Sequence, residues 1–138
     1  MTQRDQRPTL TGAEPQLFVT DIQASCDFFT KKLGFAVNFV HGDPPFYAQV
    51  FRDHARLNLR HVDAPLFDNG LREREDLLSA TITLDEGAAL KALSREFETS
   101  GASFHQALRL EPWGAITFIV KDPDGNLLLF AGPTGQNS

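Results

Sequence analysis

Residues 16–35 read QLFVTDIQASCDFFTKKLGF, and this stretch carries the pattern on which the fold turns. The first five residues are a short β-prone run that stops at Asp21. Ile22, Cys26, Phe29 and Leu33 then follow the i, i+4, i+7, i+11 stripe of an amphipathic helix, with Phe28 widening the apolar face. Asp21 is the candidate N-cap, because its carboxylate can accept an otherwise orphaned N–H of the first turn. Gly34 is the candidate stop, since a left-handed residue after a helix costs glycine nothing.

Working outward, three strand-like runs come next: FAVNFVH (35–41), FYAQVFR (46–52) and ARLNLRHV (55–62). Turn signals at Gly42-Asp43-Pro44-Pro45 and at Asp53-His54 separate them. The unit is therefore β-α-β-β-β. Its order then repeats. SATITL (79–84) meets Asp85 as QLFVT meets Asp21, a helix with Leu90, Leu93 and Phe97 on one face ends near Gly101, and ASFHQALRL (102–110), AITFIVK (115–121) and NLLLFAG (126–132) read as strands. Between the copies, residues 63–78 contain Pro65, Asn69-Gly70 and the charged run REREDLL, which suggest a crossing linker rather than core.

The expected organisation is one domain over 13–132, with module one at 13–62, the linker at 63–78 and module two at 79–132. Residues 1–12 and 133–138 are polar and are expected to be loose tails. One helix and four strands cannot cover their own sheet well, so the two modules are expected to pair. Helices would lie outside, and the strands would curl as a mixed sheet around a cleft lined by alternate side chains. The fold class is thus α+β with a concave face suited to a ligand.

Composition sets limits on function. The 138 residues are 41% hydrophobic and 22% charged, ordinary globular usage, and the 12 phenylalanines supply nearly all aromatic content. A formal charge of -5 argues against general nucleic-acid binding, which needs clustered Lys and Arg to neutralise phosphates. Cys26 is the sole cysteine, cannot form an internal disulfide, and sits on an apolar stripe where an inert thiol is expected. No apolar run approaches the roughly 20 residues that span a bilayer, and the polar start MTQRDQRPTLTGAE has no apolar core like that of a secretory signal. A cytoplasmic location is the expectation.

Trp113-Gly114, followed by Phe118-Ile119-Val120-Lys121-Asp122-Pro123-Asp124-Gly125-Asn126 and Phe130, resembles the closing hairpin of the vicinal-oxygen-chelate superfamily (glyoxalase, bleomycin resistance protein, dioxygenase). Residues 19–35 look like that superfamily's first strand-to-helix unit. With the repeat, the resemblance covers about 13–131, and the wording of 112–126 is most similar to the bleomycin-resistance branch. The turn also has a local physical cause, because Pro123 presets φ and Gly125 supplies a positive φ.

The resemblance implies a divalent metal held by His, Glu or Gln from four strands. The corresponding positions here read Glu14, Asn58, Ser79 and Leu129. Only Glu14 is a good ligand. Asn58 and Ser79 are weak neutral donors, Leu129 has no donor atom, and residues 126–130 contain no His, Asp or Glu in any register. No metal and no cofactor are therefore expected. His41, His54, His61 and His105 share no paired ligand spacing, although His41, His61 or His105 could still build an atypical site.

Two functions follow. The resemblance implies a homodimeric binding protein that sequesters an antibiotic or toxic metabolite in an aromatic and acidic cleft, with Glu14, Phe39, Phe46, Tyr47, Asn58, Arg60 and Trp113 as candidate lining. A Phe in such a strand is more often plain core than ligand wall, and Trp113 is either a stacking wall or a packing residue. Arg60 and Arg56 share the Asn58 face by alternation; if that face is the groove they favour an anionic ligand, and otherwise they lean to solvent. The alternative is a metal-dependent or metal-free enzyme (lyase, isomerase or dioxygenase), for which neither a Ser-His-Asp nor a Cys-His arrangement stands out. Open strand edges and the wealth of Phe give the dimer its motive.

Overall fold

The computed structural model describes residues 7–134. The remaining parts of the expected tails, 1–6 and 135–138, lie outside the described residues. Eleven elements follow one another: β1 (Gln16–Val19), α1 (Ile22–Leu33), β2 (Ala36–His41), β3 (Tyr47–Arg52), β4 (Ala55–His61), α2 (Asn69–Glu75), β5 (Ala80–Thr83), α3 (Gly87–Ser100), β6 (Ser103–Leu110), β7 (Ala115–Lys121) and β8 (Leu127–Pro133). The repeated β-α-β-β-β order holds. It produces two four-stranded mixed sheets, β1-β4-β3-β2 and β5-β8-β7-β6, in place of one continuous ladder.

Local chemistry sets the element ends. The Asp21 carboxylate accepts from the Ala24 N–H at 3.0 Å, and Gly34 closes α1 with φ 71°. The second module departs from this pattern. Glu86, not Asp85, occupies the α3 N-cap and makes no side-chain cap bond. Two further differences concern the boundaries. Strand β8 runs one residue into the expected tail, and the expected linker holds α2. The Asp68 carboxylate starts that helix by accepting from Leu71 N–H at 3.1 Å, and Asp76 ends it at φ 50°.

Alternation then sorts each sheet into two faces. Leu17 and Val19, Leu57 and Leu59, and Ala48 and Val50 point toward α1, while Ile82, Phe118, Val120, Leu128 and Phe130 point toward α3, and all join one core with Phe29, Leu33, Leu90 and Phe97. Module two centres on rings. Phe118 lies 5.1 Å from Phe130, 5.8 Å from Phe97 and 5.5 Å from Phe104.

Polar contacts hold the modules together. The Asp124 carboxylate, in the β7–β8 turn, accepts from both the N–H and the hydroxyl of Thr20 at the end of β1. The Ser100 hydroxyl donates to Lys32 C=O at 2.6 Å, and Arg52 pairs with Glu96 at 2.6 Å. Gly125 adopts φ 85° in that turn, and a Cβ there would run into the Asn69 side chain of α2. Among the described residues no helix is long and apolar enough to cross a membrane.

Candidate functional site

The sheet faces turned away from α1 and α3 carry the polar and aromatic side chains. On the first sheet these are Gln16 and Phe18 of β1, Tyr47 and Gln49 of β3, and Arg56, Asn58 and Arg60 of β4, in the register Gln16↔Asn58↔Gln49 and Arg60↔Tyr47. The amides form a ladder. Asn38 donates to Gln49 Oε1 at 2.8 Å, and Gln49 Nε2 donates to Asn58 Oδ1 at 2.8 Å. Beside it the Tyr47 hydroxyl donates to Gln16 Oε1 at 3.1 Å, and the Tyr47 ring stacks on Phe39 at 6.1 Å. A bulge between Val37 and Phe39 lets both Asn38 and Phe39 serve this surface.

At the end of the same face Arg60 lies 5.0 Å above the Phe46 ring and donates to His61 C=O. Phe46, Arg60, His61, Val62, Asp63 and Leu66 surround an open cavity of about 380 Å3. A second cavity, about 250 Å3, lies at the seam between the sheets and is lined by Gln16, Phe18, Phe67, Arg72, Leu77, Leu78, Ser79 and Asn126. On the second sheet the corresponding face presents Thr81, Thr83, Thr117, Leu129 and Ala131. Thr117 donates to the buried Glu111 carboxylate at 2.7 Å, and this bond first, with Arg109 after it, holds Glu111 below the usual carboxylate range.

The seven expected site residues do not converge on one point. Phe39, Tyr47 and Asn58 share the ladder face, and Phe46 and Arg60 flank its end. Glu14 stands two residues before β1, exposed, at the opposite end of β4 from Arg60. Trp113 is 74% exposed in the β6–β7 turn. That turn lies at the C-terminal end of β8, whereas Phe46 lies at the end of β1 that Asp124 ties to the start of β8. A seven-residue strand of roughly 20 Å therefore separates Trp113 from the Phe46 end.

The four positions implied for a metal do not suit one. The Asn58 oxygen already accepts from Gln49. Ser79 Oγ donates to Asn126 and accepts from Arg72 at 3.0 Å, which sets a cation where a metal would need negative charge. Leu129 offers no donor. Of the histidines considered for an atypical site, His61 faces Asp63 at 3.1 Å and His105 faces Asp76 at 2.7 Å, while His41 is exposed at the end of β2. Among the described residues no three His, Cys, Asp or Glu side chains come together to hold an ion.

Gln16, Asn38 and Gln49 on the ladder face and Arg72 at the seam cavity are candidate residues not singled out from the sequence. Gln49 had a signal, since alternation along β3 places it with Tyr47 on one face. Arg72 had only the Asp68 cap signal in an otherwise solvated-looking charge run.

A family model described as the glyoxalase/bleomycin resistance protein/dioxygenase superfamily matches residues 11–130. The chain belongs to this superfamily. Solved structures share its fold: a bleomycin-binding protein from bleomycin-producing Streptomyces verticillus, complexed with copper(II)-bleomycin, is 24% identical with TM-score 0.69, over 90% of this chain and 97% of that one. A glyoxalase-related enzyme from Clostridium phytofermentans is 18% identical with TM-score 0.72, over 93% and 98%. The bleomycin resistance determinant encoded on the transposon Tn5 is 20% identical with TM-score 0.68, over 90% and 98%. No curated protein sequence matches at a significant level.

Proposed function

We propose that this superfamily member is a metal-free small-molecule-binding protein that sequesters an antibiotic or toxic metabolite in the cytoplasm. The observation that carries the reading is the Asn38-Gln49-Asn58 ladder with the Phe39-Tyr47 shelf beside it. Asn58, one of the four positions implied for a metal ligand, is taken up in this ladder, and the group as a whole offers amide donors and acceptors beside a stacking surface. Bound drug in a structural neighbour supports the class of ligand without naming the compound.

The test combines elemental analysis of the purified protein with melting curves against divalent metals and a panel of glycopeptide and aromatic antibiotics. The expected result is no stoichiometric metal, no rise with metal alone, and a rise of about 5–10 °C with a ligand at 100 times its Kd, equivalent to about 2.7 kcal/mol. Near one metal per chain, or a melting temperature raised by metal alone, would overturn the reading in favour of the enzyme.

A homodimer belongs to the same proposal. Edge strand β2 exposes Val37, Phe39 and Val40, and an unpaired apolar edge is stabilised by a second copy. Sedimentation equilibrium is expected to return the mass of two chains; a single-chain mass at all concentrations would remove the dimer.

A further inference from the structure

Helix α2 brings a nearly buried cation to the seam between the two sheets. Arg72 is only 8% exposed, yet among the described residues no carboxylate lies within ion-pair distance of it. Its guanidinium donates to Asn69 Oδ1 at 3.1 Å, Ser79 Oγ at 3.0 Å and Asn126 Oδ1, all neutral oxygens, and its carbon lies 4.6 Å above the Phe67 ring. The two nearest acids are committed elsewhere. Asp122 accepts from Asn126 N–H, Asn126 Nδ2 and Asp124 N–H, and Asp124 accepts from Thr20 twice. Arg52, Arg109 and Lys121, by contrast, each have a carboxylate partner.

A guanidinium removed from water without a counter-ion is costly, and burial pulls its pKa down even with Asp122 and Asp124 nearby. The same side chain borders the seam cavity of about 250 Å3, whose other walls are the apolar Phe18, Phe67, Leu77 and Leu78 with Gln16, Ser79 and Asn126. That volume lies below the roughly 300–1,000 Å3 of sites for drug-sized ligands, so it suits one ring or one arm of a larger molecule. The planar fork of Arg matches a carboxylate, and the apolar walls match a hydrocarbon body better than a hydrated phosphate.

We propose that the seam cavity is a subsite for an organic carboxylate on a small apolar or aromatic body, recognised by Arg72. The proposal deepens the small-molecule reading and rests on it for the ligand's identity; the seam cavity adjoins the ladder face, sharing Gln16 and Phe18 with it, but its cation comes from α2.

The experiment is calorimetric titration of the full chain with phenylacetate, its uncharged amide phenylacetamide, and inorganic phosphate. Phenylacetate is expected to bind at least ten-fold more tightly than either comparison compound, the ratio for one charge-assisted hydrogen bond. Arg72→Gln should lose that preference. Because Arg72 also fastens α2, Leu78→Trp supplies an independent variant, filling the cavity mouth without touching the guanidinium bonds, and it should weaken phenylacetate at least ten-fold. Equal binding of acid and amide, phosphate binding as tightly as phenylacetate, or unchanged acid binding in Leu78→Trp would overturn the subsite. A panel ligand that raises the melting temperature while phenylacetate fails to bind would leave the ladder-face reading intact and end this one; the reverse pattern would do the opposite.

Discussion

Phe118→Ala is expected to lower the unfolding free energy by about 4 kcal/mol, within the roughly 3–5 kcal/mol range for deleting a buried ring. Phe118 is fully buried in the middle of the second sheet, and three rings lie within 6 Å of it: Phe130 stacked at 5.1 Å, Phe104 at 5.5 Å and Phe97 edge-on at 5.8 Å. The substitution leaves a void bounded by two strands and by α3, which cannot collapse into it without breaking strand register. Aromatic pairing adds about 0.5–1.5 kcal/mol for each good contact beyond the area lost. Since a domain has only about 5–15 kcal/mol in total, the variant should sit near the edge of folding. Urea unfolding monitored by circular dichroism measures the change; a loss under about 1 kcal/mol would mean that the ring cluster is not the centre of module two's core.

The second large effect is a pH dependence carried by Asp122. Its carboxyl is buried, and desolvation pushes its pKa up to about 6 despite the N–H bonds it accepts from Asn126 and Asp124. The sign follows from where the proton sits. Between about pH 4 and pH 6 the folded chain keeps a proton that the unfolded chain has released, so stability is highest below the unfolded pKa and falls as pH rises through 6. At about 1.4 kcal/mol per unit the loss is ~3 kcal/mol, constant above that range. Glu111, held low by Thr117 and Arg109, runs in the opposite sense, its contribution fading as pH falls. The readout is therefore the difference between the pH profiles of the wild type and Asp122→Asn. The variant will shift in height, because its new amide faces the Asn126 amide as donor to donor, but its profile should lack the decline between pH 4 and 6. Parallel profiles would show that Asp122 is already ionised throughout.

The fold was legible because its signals are local. Asp21 and Gly34 bracket α1, Gly101 closes α3, Gly125 shapes the β7–β8 turn, and alternation set Leu57 and Leu59 against Asn58 and Arg60. Helix α2 escaped because seven residues are too few to display an amphipathic stripe, and the side chain it buries is an arginine. Asp85 misled for a related reason: the strand-to-helix junction of module two spans Leu84, Asp85 and Glu86 where module one has only Thr20 and Asp21, and the cap falls on Glu86. The candidate site was legible only in part. Asn58, Tyr47 and Phe39 could be placed on strands, but the ladder depends on cross-strand register and on the β2 bulge, which pair residues distant in sequence. Trp113 stands apart for the same reason, since its distance from Phe46 is a property of how the two sheets meet.

The most direct test of the central claim is to follow the side-chain amide resonances of Asn38, Gln49 and Asn58 in metal-free protein while titrating a panel ligand that raises the melting temperature, with Gln49→Leu as the control. Binding on the ladder face without metal predicts that these resonances shift as the site fills and that Gln49→Leu weakens binding by about ten-fold or more, the loss of two amide hydrogen-bonding groups at one position. Shifts confined to residues elsewhere, or binding that appears only when a divalent metal is added, would contradict it.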